Sequence, residues 1–220
     1  MEPPFHIVIP FKHENAKSRL SVVLSPKERR LLAFAMLRDV LSAVLGHSWA
    51  AVLARPGLDI VEVGCDVEIV ESELELNDAL NSLIAEEARR GWQQDILIVM
   101  ADLALLTEKN VVGILNCEGD VVLCPGRGGG TNMILIRSPA FRTCYQGLSF
   151  PRHLAFAREA GLEVTVFESF RAGCDIDEPE DLSEVLLHGH GETKALLEKL
   201  NFRLSEDPHS CCTREMISSS

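Results

Sequence analysis

The sequence predicts a single α/β domain with a mainly parallel sheet flanked by helices. Short apolar runs alternate with segments of helical periodicity along most of the chain. One run, Ile96-Leu97-Ile98-Val99-Met100, is apolar throughout, as a central strand covered on both faces must be. The length, 220 residues, suits one large α/β domain, with no internal repeat to suggest a solenoid.

The first strand is expected over residues 6–10, an apolar run closed by Pro10. After a polar loop, Ser25-Pro26-Lys27-Glu28 offers an N-cap serine, a proline at the first helical position and a capping-box glutamate. The helix it opens carries Leu32, Ala35, Leu41 and Leu45 at helical spacing and stops at Gly46. Strands follow at 50–54 and 67–70, and Asn77 is expected to cap a second helix that ends before Gly91. Thr107 caps a third through 115. Strands at 121–124 and 132–136 flank a glycine-rich loop, and a helix at 151–160, a strand at 164–167 and a helix at 179–187 complete the order. The domain is placed at 1–203, with 204–220 expected to be disordered or loosely docked because its periodicity fails.

Charge narrows the partners. A net charge of −12 argues against nucleic acid. No apolar stretch approaches the ~20 residues of a membrane helix, and the N-terminus lacks the basic and small-residue parts of a signal peptide, so the expected location is cytoplasmic. The seven cysteines, without CxxC pairing, read as reduced small hydrophobes. Against this acidic background, residues 11–30 hold six basic and only two acidic side chains. A basic island suggests a site for a small anion, although a solvated helix face accounts for Lys27, Arg29 and Arg30.

Four segments lie where the crevice of a parallel sheet is expected, at the carboxyl ends of its strands. The first, PFKHENAKSRL, places Lys12, Lys17 and Arg19 after strand one, where cations can meet phosphates; it is not a P-loop. The second is Asp102, directly after the most hydrophobic strand, either a magnesium carboxylate or a turn cap. The third, AGCDIDEPEDL, alternates Asp175 and Asp177, which can face one side together. Asp177 also fits a helix N-cap with Glu180, so Asp175 is the stronger ligand candidate. The fourth, PGRGGGTN, has four glycines in five positions followed by Thr131. Its backbone can approach an anion, but alone it reads better as a flexible connection. Further on, YQGLSF has a similar small-residue, hydroxyl-bearing character.

Taken together and in this order, PFKHENAKSRL, LNDAL, MADLALL, PGRGGGTN, GLSF and AGCDIDEPEDL resemble the 2-phospholactate guanylyltransferase family of deazaflavin coenzyme biosynthesis, in its archaeal form. The likeness runs from about Phe5 to Arg203. It implies a glycosyltransferase-A-like nucleotidyltransferase fold that is Rossmann-like, with Mg2+ held by Asp102, Asp175 and Asp177. It further implies that Lys12, Lys17 and Arg19 bind the phosphates of GTP and act with Asp102 in catalysis, and that Asn77 lies near the nucleoside. Thr131, Gly147 and Ser149 would grip the phosphate of 2-phospho-L-lactate. Two positions depart from the family pattern: Ala104 where proline is common, and Cys174 where threonine is. Other nucleotidyltransferases of this fold, such as molybdenum-cofactor or sugar-phosphate enzymes, are disfavoured because the first loop is basic rather than glycine-rich. Phosphoenolpyruvate remains an alternative acceptor. A non-catalytic nucleotide-binding regulator would be expected to lack a metal carboxylate or a phosphate cation, and none of the matching ones is missing. A homodimer is compatible with the sequence, though no residue specifies it.

Overall fold

A computed structural model describes residues 5–14, 16–46, 49–205 and 211–214. The elements in chain order are β1 (Phe5–Phe11), a short 3-10 turn (Ser18–Val22), α1 (Pro26–Val44), β2 (Ala50–Ala54), α2 (Ile60–Val63), β3 (Glu68–Glu71), α3 (Leu76–Arg89) and β4 (Asp95–Val99). Then come α4 (Glu108–Leu115), β5 (Val121–Pro125), β6 (Thr131–Ile136), α5 (Ser149–Glu159), β7 (Val164–Val166), α6 (Asp181–His188), α7 (Glu192–Lys199), β8 (Phe202–Leu204) and β9 (Cys212–Arg214).

Seven strands form one sheet in the order β3-β2-β1-β4-β6-β5-β7. All neighbouring pairs are parallel except those of β6, which runs antiparallel to both β4 and β5. Alternation along β1 decides how the sheet is covered. Ile7, Ile9 and Phe11 pack with α1 and α4 on one face, while Val8 joins α3 and α5 on the other. At the expected core strand, Leu97 and Val99 point to the first face and Ile96 and Ile98 to the second, each at most 3% exposed, which is why this run has no polar residue. A third apolar cluster joins Leu20, Leu32 and Met36 to α6 and α7, with Ala104 and Cys174 buried inside it. The two positions that depart from the family pattern are therefore core positions.

Local chemistry sets the main helix. The Ser25 backbone N–H donates to Glu28 at 2.8 Å, Glu28 N–H returns to the Ser25 hydroxyl, and Pro26 opens the first turn. Thr107 and Asn110 form the equivalent pair at α4. Two expectations change. Asn77 lies inside the first turn of α3, whose N-cap is Glu75, because its amide oxygen is already taken by the Tyr145 N–H at 2.7 Å. Within the tail, expected to be disordered or loosely docked from 204, Cys212–Arg214 forms β9, paired antiparallel with β8. There Arg214 bonds the Glu28 carboxylate, Leu200 O and Val23 O. The rest of that tail lies outside the described residues. Among the described residues no helix is long and apolar enough to cross a membrane.

Candidate active site

The sheet reverses its strand order at β1, with β2 on one side and β4 on the other, so a crevice opens at their carboxyl ends. Lys12 follows β1 into it and Asp102 follows β4. Because β6 runs backwards, its first residues, Thr131 and Asn132, reach the same edge, joined by the bond from Met100 N–H to Asn132 O.

Lys17 sits at the centre. Its backbone is left-handed, φ 55°, an uncommon state for a residue with a Cβ. That turn carries its ammonium group between Asp102 Oδ2 at 2.7 Å and Asp177 Oδ1 at 2.6 Å, with the side chain only 10% exposed. Burial works to lower the Lys17 pKa, but the two carboxylates outweigh it and the net direction is up, so the cation is retained. Asp177 is thus a site residue and not the helix cap that its sequence context allowed. The N-cap of α6 is Glu180, without a side-chain bond, and the carboxylate of its first residue, Asp181, accepts the N–H groups of Asp177 and Glu178. Asp175 accepts from the Asn132 side-chain amide at 3.2 Å. Burial pushes its pKa up, the Asn132 bond opposes this, and the neighbouring Asp102 and Asp177 charges add to it. The three carboxylates are therefore close enough to feel one another. Asp102 Oδ1 is buried without a hydrogen-bond partner among the described residues, an acceptor left open in a site crowded with negative charge.

Two cavities meet here. One of about 200 Å³ is bounded by Lys12, Lys17, Met36, Met100, Asp102 and Asp177. The other, about 380 Å³, shares Pro10, Phe11, Lys12 and Met100 and extends to Arg55, Ser72 and Leu76. Lys12 lies on both and forms no ion pair among the described residues. Arg19 is farther out, 67% exposed and 3.3 Å from Glu178.

The glycine-rich loop is tighter than a flexible connection. Gly126 N–H bonds Gly130 O, Gly129 N–H bonds Gly126 O, and Arg127 N–H bonds Gly173 O, so three of its amides are used internally and are not offered to an anion. A Cβ on Gly126 would stand 2.5 Å from Asn132 Oδ1 and 3.0 Å from Asp175 Oδ1, so glycine here allows the backbone to pass against the carboxylate. Thr131 and Ser149 come together, Ser149 Oγ donating to Thr131 Oγ1 at 3.1 Å, both buried. Gly147, exposed with φ 57°, lies on the loop that precedes them. Asn77, next to the cavity-lining Leu76, holds that loop through Tyr145.

Sequence reasoning missed His153 and Asn132. His153 is fully buried and bonded at both ring nitrogens. Its signal is spacing: it follows Ser149 by four residues on α5 and therefore shares its helix face. Asn132 was visible only as the residue after Thr131, which on a strand points to the opposite side.

With this geometry in place, likeness to known proteins can be judged. The family model described as "Guanylyl transferase CofC like" matches residues 5–219. A 2-phospho-L-lactate guanylyltransferase of Methanothrix thermoacetophila is 54% identical over 205 residues, covering 92% of each chain. One of Methanoregula boonei is 41% identical, covering 92% of this chain and 91% of its own. Among solved structures, a putative nucleotide-diphospho-sugar transferase from Desulfovibrio desulfuricans superposes with a TM-score of 0.74 at 18% identity, over 90% of this chain and 95% of the other. A 4-diphosphocytidyl-2C-methyl-D-erythritol synthase gives 0.57 at 13% identity over 84% and 99%. At these identities the structures establish the fold alone, a mainly parallel α/β sheet flanked by helices, as expected from the strand–helix alternation. The sequence matches establish more, since they span nearly the whole described chain, crevice residues included: the chain belongs to the CofC-like guanylyl transferase family.

Proposed function

We propose that the protein transfers GMP from GTP to 2-phospho-L-lactate and releases pyrophosphate, a step of deazaflavin coenzyme biosynthesis, in the cytoplasm. The observation that carries this reading is the meeting of Asp102 and Asp177 on the Lys17 ammonium group, in a cavity also lined by Lys12, which forms no ion pair among the described residues. In the reaction, a phosphate oxygen of the acceptor attacks the α-phosphorus of GTP. The bond from that phosphorus to the bridging oxygen of the β-phosphate breaks, and its electron pair leaves with pyrophosphate. The attacking oxygen is already anionic, so no protein base is needed. What the chain must supply is alignment and positive charge at the leaving group.

Lys12 and Lys17 are placed to meet the triphosphate, and Arg19 can reach its outer end once drawn from Glu178. Thr131 and Ser149, bonded to each other, and Gly147 would hold the acceptor's phosphate. Among the described residues no three carboxylate, histidine or cysteine side chains are gathered into a metal cluster. Asp102 and Asp177 are the hard oxygen donors that would hold magnesium, with Asp175 as a third candidate, and Asp102 Oδ1 is an acceptor with nothing to accept. When bound, Mg2+ would neutralise phosphate charge alongside the lysines. Lys17 would then shift from the carboxylates toward the phosphates, because both cations compete for the same oxygens. The larger cavity, running from Lys12 along Leu53, Ser72 and Leu76, has room for the nucleoside.

Purified protein with magnesium, tested with each nucleoside triphosphate against 2-phospho-L-lactate, phosphoenolpyruvate and no acceptor, decides the reading. Pyrophosphate release only with GTP and phospholactate is the expected result. Release with phosphoenolpyruvate would change the acceptor and keep the mechanism. GTP binding without release in any combination would make the protein a nucleotide-binding regulator.

A further inference from the structure

Both nitrogens of His153 are committed, and the order of commitment decides what the neighbouring hydroxyls can do. The Cys144 backbone N–H donates to Nε2 at 2.8 Å. A backbone amide can only donate, so Nε2 carries the lone pair and the proton of the neutral ring sits on Nδ1. Nδ1 stands 2.8 Å from Thr131 Oγ1, which therefore accepts. Thr131 Oγ1 also accepts from Ser149 Oγ at 3.1 Å. Two hydroxyls bring two protons. One is used between them, and the other remains free to point away from the ring. Were Nδ1 the bare nitrogen, Thr131 would donate to it, Ser149 would donate to Thr131, and no proton would remain.

We propose that His153, held in its Nδ1–H tautomer by the Cys144 amide, is a positioning residue that leaves the Thr131–Ser149 pair one proton to donate to the phosphoryl group of the acceptor.

The surroundings are consistent with an anion beside this pair. Thr131 opens β6 directly after the glycine-rich loop, and Phe150 N–H bonds Gly129 O, so the two loops meet at these hydroxyls. The Arg152 guanidinium lies 3.9 Å from where a Cβ at Gly147 would stand, bringing positive charge to the same loop. The segment between Thr143 and Gly147 is fixed at three points: Asn81 bonds the Thr143 N–H and carbonyl, Asn77 accepts from Tyr145 N–H, and His153 accepts from Cys144 N–H. Burial lowers the His153 pKa to about 4, which keeps the ring neutral and its tautomer single at working pH. A permanently neutral ring adds no charge of its own; its contribution is the direction of a proton.

This inference rests on the proposed guanylyl transfer for the identity of the anion, so the test separates the two. Nitrogen-15 NMR of the whole protein reads the tautomer directly, and a protonated Nδ1 with a bare Nε2 is expected. An Nε2–H ring would overturn the proposal. His153→Asn places an amide N–H near the Nδ1 position, while His153→Gln reaches toward Cys144 and puts no donor at Thr131. Calorimetry of 2-phospho-L-lactate binding to protein loaded with magnesium and α,β-methylene-GTP should then rank wild type close to His153→Asn. His153→Gln should bind about tenfold more weakly. Both variants remove a buried ring and should melt lower to a similar degree, so a purely structural role would lower both melting points and leave both affinities equal. Equal affinities overturn the proposal even if turnover occurs. Wild type that binds phospholactate yet releases no pyrophosphate from GTP overturns the reaction and leaves the ranking of the variants standing. No binding of phospholactate to wild type overturns both.

Discussion

Lys17 is the side chain under the most opposed demands. Its left-handed backbone and buried ammonium group are both unfavourable in isolation, and both are maintained by the carboxylates of Asp102 and Asp177. Asp102→Asn therefore has two effects. It removes a carboxylate from the phosphate site and leaves Lys17 with a single charged partner. Pyrophosphate release should fall by roughly a hundredfold or more, and unchanged turnover and magnesium dependence would show that Asp102 holds no metal. His153 supports a different prediction, on stability. Its folded pKa of about 4 lies below the ordinary histidine value of 6.5, so between those values the unfolded chain binds more protons than the folded one. Stability should decline as pH falls from 6.5 toward 4, by about 2–3 kcal/mol in total if the ring stays buried. Urea unfolding across that range measures it, and His153→Asn should flatten that component of the slope.

At the scale of elements, two connections hold the site to the fold. The glycine-rich loop is one. Gly126→Ala forces a Cβ against Asn132 Oδ1 and Asp175 Oδ1, moving both. Its activity should fall at least tenfold, a loss read by the pyrophosphate assay, with a detectable drop in melting temperature. The β8–β9 pair is the other. Arg214 ties it to Glu28, the same residue that caps α1, and packs over Phe202. The Arg214 bond is the main cause that lowers the Glu28 pKa to about 2. This contribution is complete above Glu28's ordinary pKa near 4.5 and is lost as pH falls through the acid range toward 2. Arg214→Ala should cost about 1 kcal/mol at neutral pH, measured by denaturant unfolding, and most of that difference should vanish in acid. The sequence was readable where physics is local. The Ser25–Glu28 cap, the Thr107 cap and the apolar runs of β1, β2 and β4 need only neighbouring residues. The tail was not readable, because Cys212–Arg214 is a strand only by virtue of β8 and of a glutamate nearly two hundred residues away. The reversed direction of β6 was equally hidden, since a strand's alternation carries no sign of its orientation.

For the molecule as a whole, the site is assembled from segments far apart in the chain: residues 12–19, 102, 126–132, 147–153 and 175–177. Each carboxylate and cation could be named from its position at the end of an apolar run. Partnership could not be read: that Asp177 meets Lys17 and that Asn132 bonds Asp175 depend on how the ends of β1, β4 and β6 converge. Asn77 directly follows Leu76, which lines the larger cavity, and its amide accepts the Tyr145 N–H, a partnership no motif could show. The fold brings two cations, Lys12 and Lys17, and two carboxylates, Asp102 and Asp177, to one cavity at the edge of the sheet.

The central claim is guanylyl transfer, and pyrophosphate release from GTP tests it most directly. With magnesium and 2-phospho-L-lactate present, wild type should release one pyrophosphate for each phospholactate consumed, while Asp102→Asn releases almost none. Folded wild-type protein that binds GTP but leaves it intact in the presence of the acceptor would contradict the account.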